Sequence, residues 1–400
     1  MRETGVVVAG GGVVGLTTAL GLARAGVEVT VYDDAAVAPM GTADAVYHWS
    51  VLPVFAGLDV LDELVAAGTT SARWAFVVPE RDLRFTLDLE VLADEIEHPY
   101  HLTVQRDVIV AHLVGALAAH PSARFVRGTA VTGLAQDAGG VTVELDGAEG
   151  PDQVRAGWIV GADGAGSRVR QSLGLGLAGH TWPERLVSTT IGFDLAELGG
   201  PPYQSWLGAL QPAVANLIQA GPGVPTRWRF AYPELRTLPE ETVEARMADV
   251  FEAILPDGAD PLVVDWSAYR MHERVAETFC LGRALLVGDA AHLTNPTSGL
   301  GMATGLFDAA SVVEHLPRVL DGADPVLLER AAQERRAVFC DQVSPASAER
   351  KDLLFHSAAT GRLDARIEWL RETVTDRDAA RSLLRKENRL VRAPIGLRAR

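Results

Sequence analysis

The residues best placed to do chemistry stand near the start of the chain, in the pattern Gly10-x-Gly12-x-x-Gly15. They end a β-branched run, GVVVA at 5–9. Gly10 permits a tight turn out of a strand, and Gly12 removes a side chain where backbone must approach a pyrophosphate. Gly15 lets the next helix pack closely on the strand. Val14 lies inside the same turn. The helix that follows offers free N–H groups and about half a positive charge to phosphates. Asp33 closes the next strand, at the separation where an acid accepts hydrogen bonds from ribose hydroxyls. Asp34 is its neighbour, but strand alternation favours Asp33. This fingerprint alone does not separate FAD from NAD. Two later stretches add to it. One runs Asp163-Gly164-Ala165-Gly166-Ser167-Arg168-Val169-Arg170 after an apolar WIVGA strand. The other runs Gly288-Asp289-Ala290-Ala291-His292 and on to Pro296-Thr297-Ser298-Gly299-Leu300-Gly301-Met302. Asp289 follows a buried strand, ALLVG at 284–288, where ligands of open α/β sheets collect.

These turns need elements to hold them. Strands at 5–9 and 27–32 flank a helix at 13–25, which is a βαβ unit with a right-handed crossover. A helical stretch is expected at 51–67, strands at 74–78 and 83–89, and an amphipathic helix at 107–119. Residues 124–146 alternate as strands around a turn at Asp137–Gly140, predicting a meander. From 180 to 275 prolines and aromatics rise. Strands are expected there at 186–194, 214–219, 227–232 and 262–271, with one helix at 241–255. Helices return at 300–316, 326–340 and most of 361–391. The domain division read from this is 1–73, 101–179 and 277–320 for a discontinuous nucleotide-binding domain. Residues 74–100 and 180–276 form an inserted sheet-rich domain, and 321–400 a C-terminal helical segment.

Composition limits the function classes. The chain has 400 residues, 48% apolar and 22% charged, enough to bury a sizeable core. Its net charge of −16 argues against a nucleic-acid binder, which needs a basic footprint. The tail differs in sign. Arg377, Arg381, Arg385 and Arg389 fall at i, i+4 spacing on one helix face. That stripe reads either as a solvated or docked face or as an anion- or membrane-binding one. Cys280 and Cys340 make neither a disulfide framework nor a metal cluster. The apolar stretch from Thr4 to Ala23 holds too many glycines for a membrane span, and no span or signal is expected. A cytoplasmic location is expected.

With Gln105-Arg106 between the first two stretches, the three fingerprints resemble the group A flavoprotein monooxygenases, the aromatic-hydroxylase family related to p-hydroxybenzoate hydroxylase. The resemblance spans nearly the whole chain. It implies an α/β fold, with an FAD-binding Rossmann-type βαβ domain and an inserted, sheet-rich substrate domain. It further implies that Arg106 lies near the FAD diphosphate and that Asp163-Gly164 supports both FAD and reduced nicotinamide. For Asp163, Ser167 and Arg170 a helix cap with a salt bridge is the competing reading. The segment Pro296–Met302 holds the flavin ring in the family. Its turn precedes a helix whose positive end favours an anionic reduced ring, and its glycines admit a flat ring without a Cβ clash. Two positions depart from the family pattern. Ala303 stands where Asn is frequent, and Asp44 falls where a flavin-assisting Arg is frequent.

The resemblance implies that NADH or NADPH reduces FAD and that O₂ then forms a flavin hydroperoxide. A small phenolic or polyketide-like aromatic is then hydroxylated. The protein supplies orientation and exclusion of water. No dedicated catalytic residue and no metal ligand stand out. Substrate candidates are Tyr47 and His48 from the early loop and Trp206, Trp228 and Tyr232 from the inserted sheet. Alternatives are an epoxidase of the same family, or a flavin-binding helper without activity. A halogenase is disfavoured, since the family's halogenases need a tunnel lysine and no Lys precedes Lys351.

Overall fold

A computed structural model describes residues 2–36, 44–193, 200–207, 216–220, 227–255, 260–356 and 361–389. The loop expected around Pro39 and Gly41 lies outside the described residues. Strand β1 (Arg2–Ala9), helix α1 (Val13–Arg24) and strand β2 (Val29–Asp33) form the expected βαβ unit. Val6, Val7, Val8, Val29 and Val31 are fully buried, as parallel strands covered on both faces must be. Strand β3 (Asp44–Tyr47) follows. The single helix expected next is broken into α2 (Leu52–Gly57) and α3 (Leu61–Ala67). The break centres on Asp59, which adopts φ 57°, a left-handed turn that Asp tolerates better than most residues.

Strand β4 (Thr69–Ser71) and the hairpin β5 (Arg73–Val78) and β6 (Leu83–Asp88) come next. Strand β7 (His101–Gln105), which periodicity did not reveal, pairs with β3 and β4 and runs directly into α4 (Arg106–Ala118). Strand β8 (Ala123–Arg127) joins β2 in parallel, so it is not part of the meander. The meander is β9 (Thr129–Asp137), β10 (Gly140–Gly147) and β11 (Gly150–Gly161). β11 lies beside β1 in parallel, and helix α5 (Arg168–Ser172) follows it.

The second sheet starts with β12 (Leu177–Gly192), then β13 (Tyr203–Trp206), β14 (Asn216–Ala220) and β15 (Arg227–Leu235). Helix α6 (Val243–Ile254) and strand β16 (Leu262–Ala276) complete it, with β5 and β6 at its far end. The chain then returns to the first sheet through β17 (Cys280–Leu281) and β18 (Ala284–Leu286). Strand β19 (His292–Leu293) edges the second sheet beside β16.

Helix α7 (Leu300–Leu320) packs on α1, and α8 (Val326–Val338) packs on α7. A π-turn at Phe339–Val343 leads into α9 (Ser344–His356), a helix not expected from the sequence. Helices α10 (Leu363–Thr375) and α11 (Arg377–Arg389) end the described chain.

Two faces of the second sheet have different partners. Val187, Ile191, Trp206, Trp228, Phe230 and Tyr232 pack on α6. Trp74, Phe76, Leu186, Tyr203 and Met271 pack instead in the core that takes in Leu354, Ile367 and Leu370 of α9 and α10. Strand alternation sorts them, since successive side chains point to opposite faces. Part of the arginine stripe docks on the body. Arg381 pairs with Asp94 and Glu95, and Arg385 donates two hydrogen bonds of 2.7 Å to Glu95.

Candidate active site

The glycines of the first turn meet different surroundings. Gly10 has φ +102°, and a Cβ there would collide with the carbonyl of Ala162 and lie 3.0 Å from Asp163 Cα. A Cβ on Gly15 would collide with the Gly10 carbonyl oxygen. A Cβ on Gly12, which caps the start of α1, would meet nothing within 4 Å. The first and second fingerprints therefore touch through Gly10, and the helix end at Gly12 faces open space. Asp33 rims that space. Its Oδ2 accepts from Gly11 N at 2.5 Å and its Oδ1 from Ala35 N at 3.0 Å. The third fingerprint joins them through Val14, whose methyls lie 3.4 Å from where a Gly288 Cβ would be.

Asp289 is exposed at its surface, yet the protein around it is dense enough to push its carboxyl above the ordinary range. The charges of His292 and Arg106 oppose that shift. Arg106 opens α4 and acts on the Tyr47 hydroxyl as well, so it stands between the third turn and the early loop. These residues fit a dinucleotide. A bare helix end suits the diphosphate, Asp33 a ribose, Arg106 a phosphate charge and Asp289 a hydroxylated chain.

Asp163 is engaged as a cap. Its carboxylate accepts from Ser167 Oγ at 2.5 Å, Arg168 N at 2.7 Å and Val169 N at 3.1 Å. Ser167 Oγ in turn accepts from Arg170 N at 3.0 Å. Arg170 donates to the carbonyls of Ala290 at 2.9 Å and Ala165 at 2.8 Å. The competing reading of this stretch is thus largely what the geometry contains, with Arg170 bracing the residue after Asp289.

Sequence reasoning missed the lock beneath the Gly288 turn. Asp308, buried in α7, accepts from Gly288 N at 3.1 Å, shares 2.7 Å with His292 Nε2 and accepts from Arg335 Nε at 2.8 Å. Burial alone would raise its pKa. The His292 and Arg335 charges and their hydrogen bonds outweigh burial and hold it at about 2. The signal was available, since Asp308 is an acid inside an apolar helix, Gly305-Leu306-Phe307-Asp308-Ala309-Ala310.

The segment Pro296–Met302, expected to lie beside the ring, is fixed by its surroundings. Pro296–Ser298 form one 3-10 turn, and Gly299 takes φ +69° before α7 begins. Ser298 Oγ lies 2.9 Å from Ser347 Oγ of α9. Gly301 and Met302 lie in the first turn of α7, while Ala303 is buried in it. Asp44, the other departure, is registered opposite Gln105 in the β3–β7 ladder.

Of the substrate candidates, Tyr47 and His48 reach this region. Both are buried, and neither the Tyr47 hydroxyl nor His48 Nε2 has a hydrogen-bond partner. Burial raises the Tyr47 pKa, whereas burial and the Arg350 charge depress His48 to about 3. His48 Nε2 lies 3.6 Å from where a Gly299 Cβ would be. Trp206, Trp228 and Tyr232 belong to the opposite side. They are core residues beneath α6, on the face of the sheet turned away from His48. From the second sheet, Tyr203 and Trp74 approach His48 through His101, whose ring centroid lies 5.0 Å from His48, 5.3 Å from Tyr203 and 6.4 Å from Trp74. A cavity of about 500 Å³ opens beside His48, Ser298 and Leu300, with α9, α10 and α11 as its other wall. That volume suits a small-molecule site.

Fold and site together define an FAD-dependent oxidoreductase with the architecture of p-hydroxybenzoate hydroxylase. Residues 3–345 match the family described as FAD binding domain. The chain belongs to that family, and it is an NAD(P)H-consuming FAD monooxygenase of aromatic compounds. It is 35% identical over 385 residues to 6-hydroxy-3-succinoylpyridine 3-monooxygenase HspB of Pseudomonas putida, covering 95% of this chain and 96% of that one. It is 32% identical over 394 residues to para-nitrophenol 4-monooxygenase of a Pseudomonas species, covering 95% and 94%. The crystal structure of p-nitrophenol 4-monooxygenase PnpA from Pseudomonas putida superposes with a TM-score of 0.91 at 29% identity, over 98% of this chain and 99% of that one. Among the described residues no helix is long and apolar enough to cross a membrane, and no cluster of His, Cys, Asp and Glu could hold a metal.

Proposed function

We propose that this enzyme hydroxylates a small, single-ring phenol-type substrate in the cavity between the Ser298–Leu300 turn and helices α9–α11. The observation that carries the reading is the cavity itself. It is about 500 Å³ and borders both the flavin segment and a neutral buried histidine, His48. Two relatives matched over nearly their full length are named for a hydroxylated pyridine and a nitrophenol, which supports a one-ring substrate class.

In this reading Gly10, Gly12, Val14, Gly15, Asp33, Arg106 and Asp289 hold FAD, with Asp163 and Gly288 shaping the turns that meet them. Pro296, Gly299, Gly301 and Met302 bound the ring. Bound FAD, once reduced by NADH or NADPH, supplies the oxygen-activating chemistry. The chain's own work is positioning and drying. Leu300, Leu353 and Trp369 line the cavity, and their apolar surface would keep water from the place where the oxygen is transferred. His48, neutral at pH 7, presents Nε2 as a hydrogen-bonding atom to a phenol hydroxyl. The same reading keeps the domain division at 1–73, 101–179 and 277–320 for FAD, 74–100 and 180–276 for the substrate sheet, and 321–400 as the helical wall. It also places the enzyme in the cytoplasm.

The test is NADPH and NADH oxidation by the flavin-loaded protein with a panel of one-ring phenols, hydroxypyridines and fused polyketides, with products read by mass. We expect a one-ring compound to raise the rate at least about tenfold and to gain one oxygen atom. Stimulation by fused rings alone would overturn the size class.

A further inference from the structure

The walls of the active-site cavity carry opposite character. Its flavin end is formed by His48, Ser298 and Leu300. Its far end is formed by the last three helices, and there the charge is positive. Arg350, Arg362, Arg366 and Lys386 line it, against Glu349 and Asp352. Asp352 is already paired with Arg362 at 2.7 Å. This is an unusual local balance in a chain of net charge −16. Two of the cations are held in place by aromatic faces. The Arg366 guanidinium lies 3.7 Å from the Trp369 ring centroid, and that of Arg350 lies 4.5 Å from Trp74. The Lys386 ammonium adds an exposed charge, and Lys occurs at only two places in the chain. The same helices also give the cavity apolar lining, with Leu353, Ala365, Trp369 and Leu383. The positive field reaches the ring end, because the Arg350 charge is among the causes that hold both His48 and His101 neutral.

Resting on the substrate reading above, we propose that the natural substrate is an aromatic acid. Its ring lies toward His48 and Leu300, and its carboxylate is held at the far end by Arg366 and Lys386. Guanidinium and ammonium groups lining a cleft bind a carboxylate and draw anions toward it. The phosphates of NADPH are the other anion available to this wall. The cavity's apolar residues, Leu353, Ala365, Trp369 and Leu383, suit an aromatic ring better than a dinucleotide, so the carboxylate is the better fit.

The test uses the flavin-loaded enzyme and two probes of equal shape, para-hydroxyphenylpropanoate and its primary amide. Binding is read from the change in flavin absorbance, and KM for NADPH is measured alongside. The acid is expected to bind at least about tenfold more tightly than the amide. Arg366→Gln and Lys386→Gln should each weaken the acid several-fold and leave the amide and the NADPH KM unchanged. Arg366→Lys, which keeps the charge, should retain the acid preference and controls for lost packing on Trp369. Equal binding of acid and amide by the unaltered enzyme would overturn the proposal. So would equal weakening of both probes in the Gln variants, or a rise in NADPH KM alone. If simple uncharged phenols stimulate NADPH oxidation and the acid does not bind, this inference fails while the monooxygenase reading stands. If no phenol of either charge stimulates, the one-ring substrate reading fails as well.

Discussion

A methyl group added at Gly12 and one added at Gly15 meet opposite surroundings, and the difference separates cofactor binding from folding. At Gly12 the new Cβ enters open space, and the backbone φ of −74° suits any residue. Gly12→Ala should therefore change apoprotein stability by about 1 kcal/mol or less, the range for such a change at a helix start. It should still weaken FAD binding at least about tenfold, because the methyl occupies the diphosphate's approach. At Gly15 the Cβ collides with the Gly10 carbonyl. Gly15→Ala should cost about 2 kcal/mol or more in the apoprotein, as overpacking against rigid backbone does. Chemical denaturation of both apoproteins and FAD titration check the pair, and equal losses of stability would refute the division of roles. These glycines were legible because their spacing encodes backbone demands. The aromatic candidates were not. Trp206, Trp228 and Tyr232 differ from Trp74 and Tyr203 only in the parity of their strand positions, and residue type says nothing about parity.

Between elements, the decisive contact is the buried Asp308 carboxylate, which ties α7, α8 and the Gly288 turn into one unit. Asp308→Asn removes the charge while keeping the shape. It leaves Arg335 buried without its counter-ion, and breaking such a pair costs about 3 kcal/mol or more. Because the same carboxylate holds Gly288 N, the Asp289 turn should loosen and FAD affinity should fall along with stability. A variant with normal FAD affinity and lowered stability would show that the lock supports the fold alone. Why the sequence hid some elements is visible at this scale too. Helix α9 buries Lys351 and Ser347 alongside Leu354 and Phe355. Lys351 is tolerated inside because it pairs with Glu184 at 3.0 Å and lies over Trp182. An inward lysine erases the apolar period by which a helix is recognised. Strand β7 is five residues long and flows straight into α4, so no turn residue marks its end. The βαβ unit, by contrast, was legible because a strand buried on both faces needs an unbroken apolar run.

Across the whole molecule, the two sheets and the C-terminal helices meet at a seam occupied by two buried histidines. His101 comes from the small β3–β7–β4 sheet and His48 from the loop after β3. Trp74 and Tyr203 approach from the second sheet, and Arg350 from α9. Neither His101 nitrogen has a hydrogen-bond partner, nor does His48 Nε2. Burial, reinforced by Arg350, holds His48 at about 3 and His101 well below the ordinary histidine range. Below about pH 6.5 an unfolded chain would protonate both rings, while the folded chain would not. Stability from this source is thus complete above that pH and is lost as the pH falls. The slope approaches about 1.4 kcal/mol per pH unit for each histidine. The window is clear of the lock described above, because Asp308 at about 2 loses its contribution only below the ordinary carboxylate range. Asp289, shifted upward, takes its proton earlier than the unfolded chain and opposes the loss, but only near that same carboxylate range. Denaturation of the flavin-loaded protein between pH 7 and pH 5 should therefore show a steep fall in midpoint, and His101→Phe should flatten it. Phenylalanine keeps an aromatic ring at the seam and carries no proton, so a wild-type slope in that variant would mean that His101 titrates freely and the seam is wet. A flattened slope would establish that protonation at this seam, beside the cavity proposed for the substrate, drives the acid loss of stability.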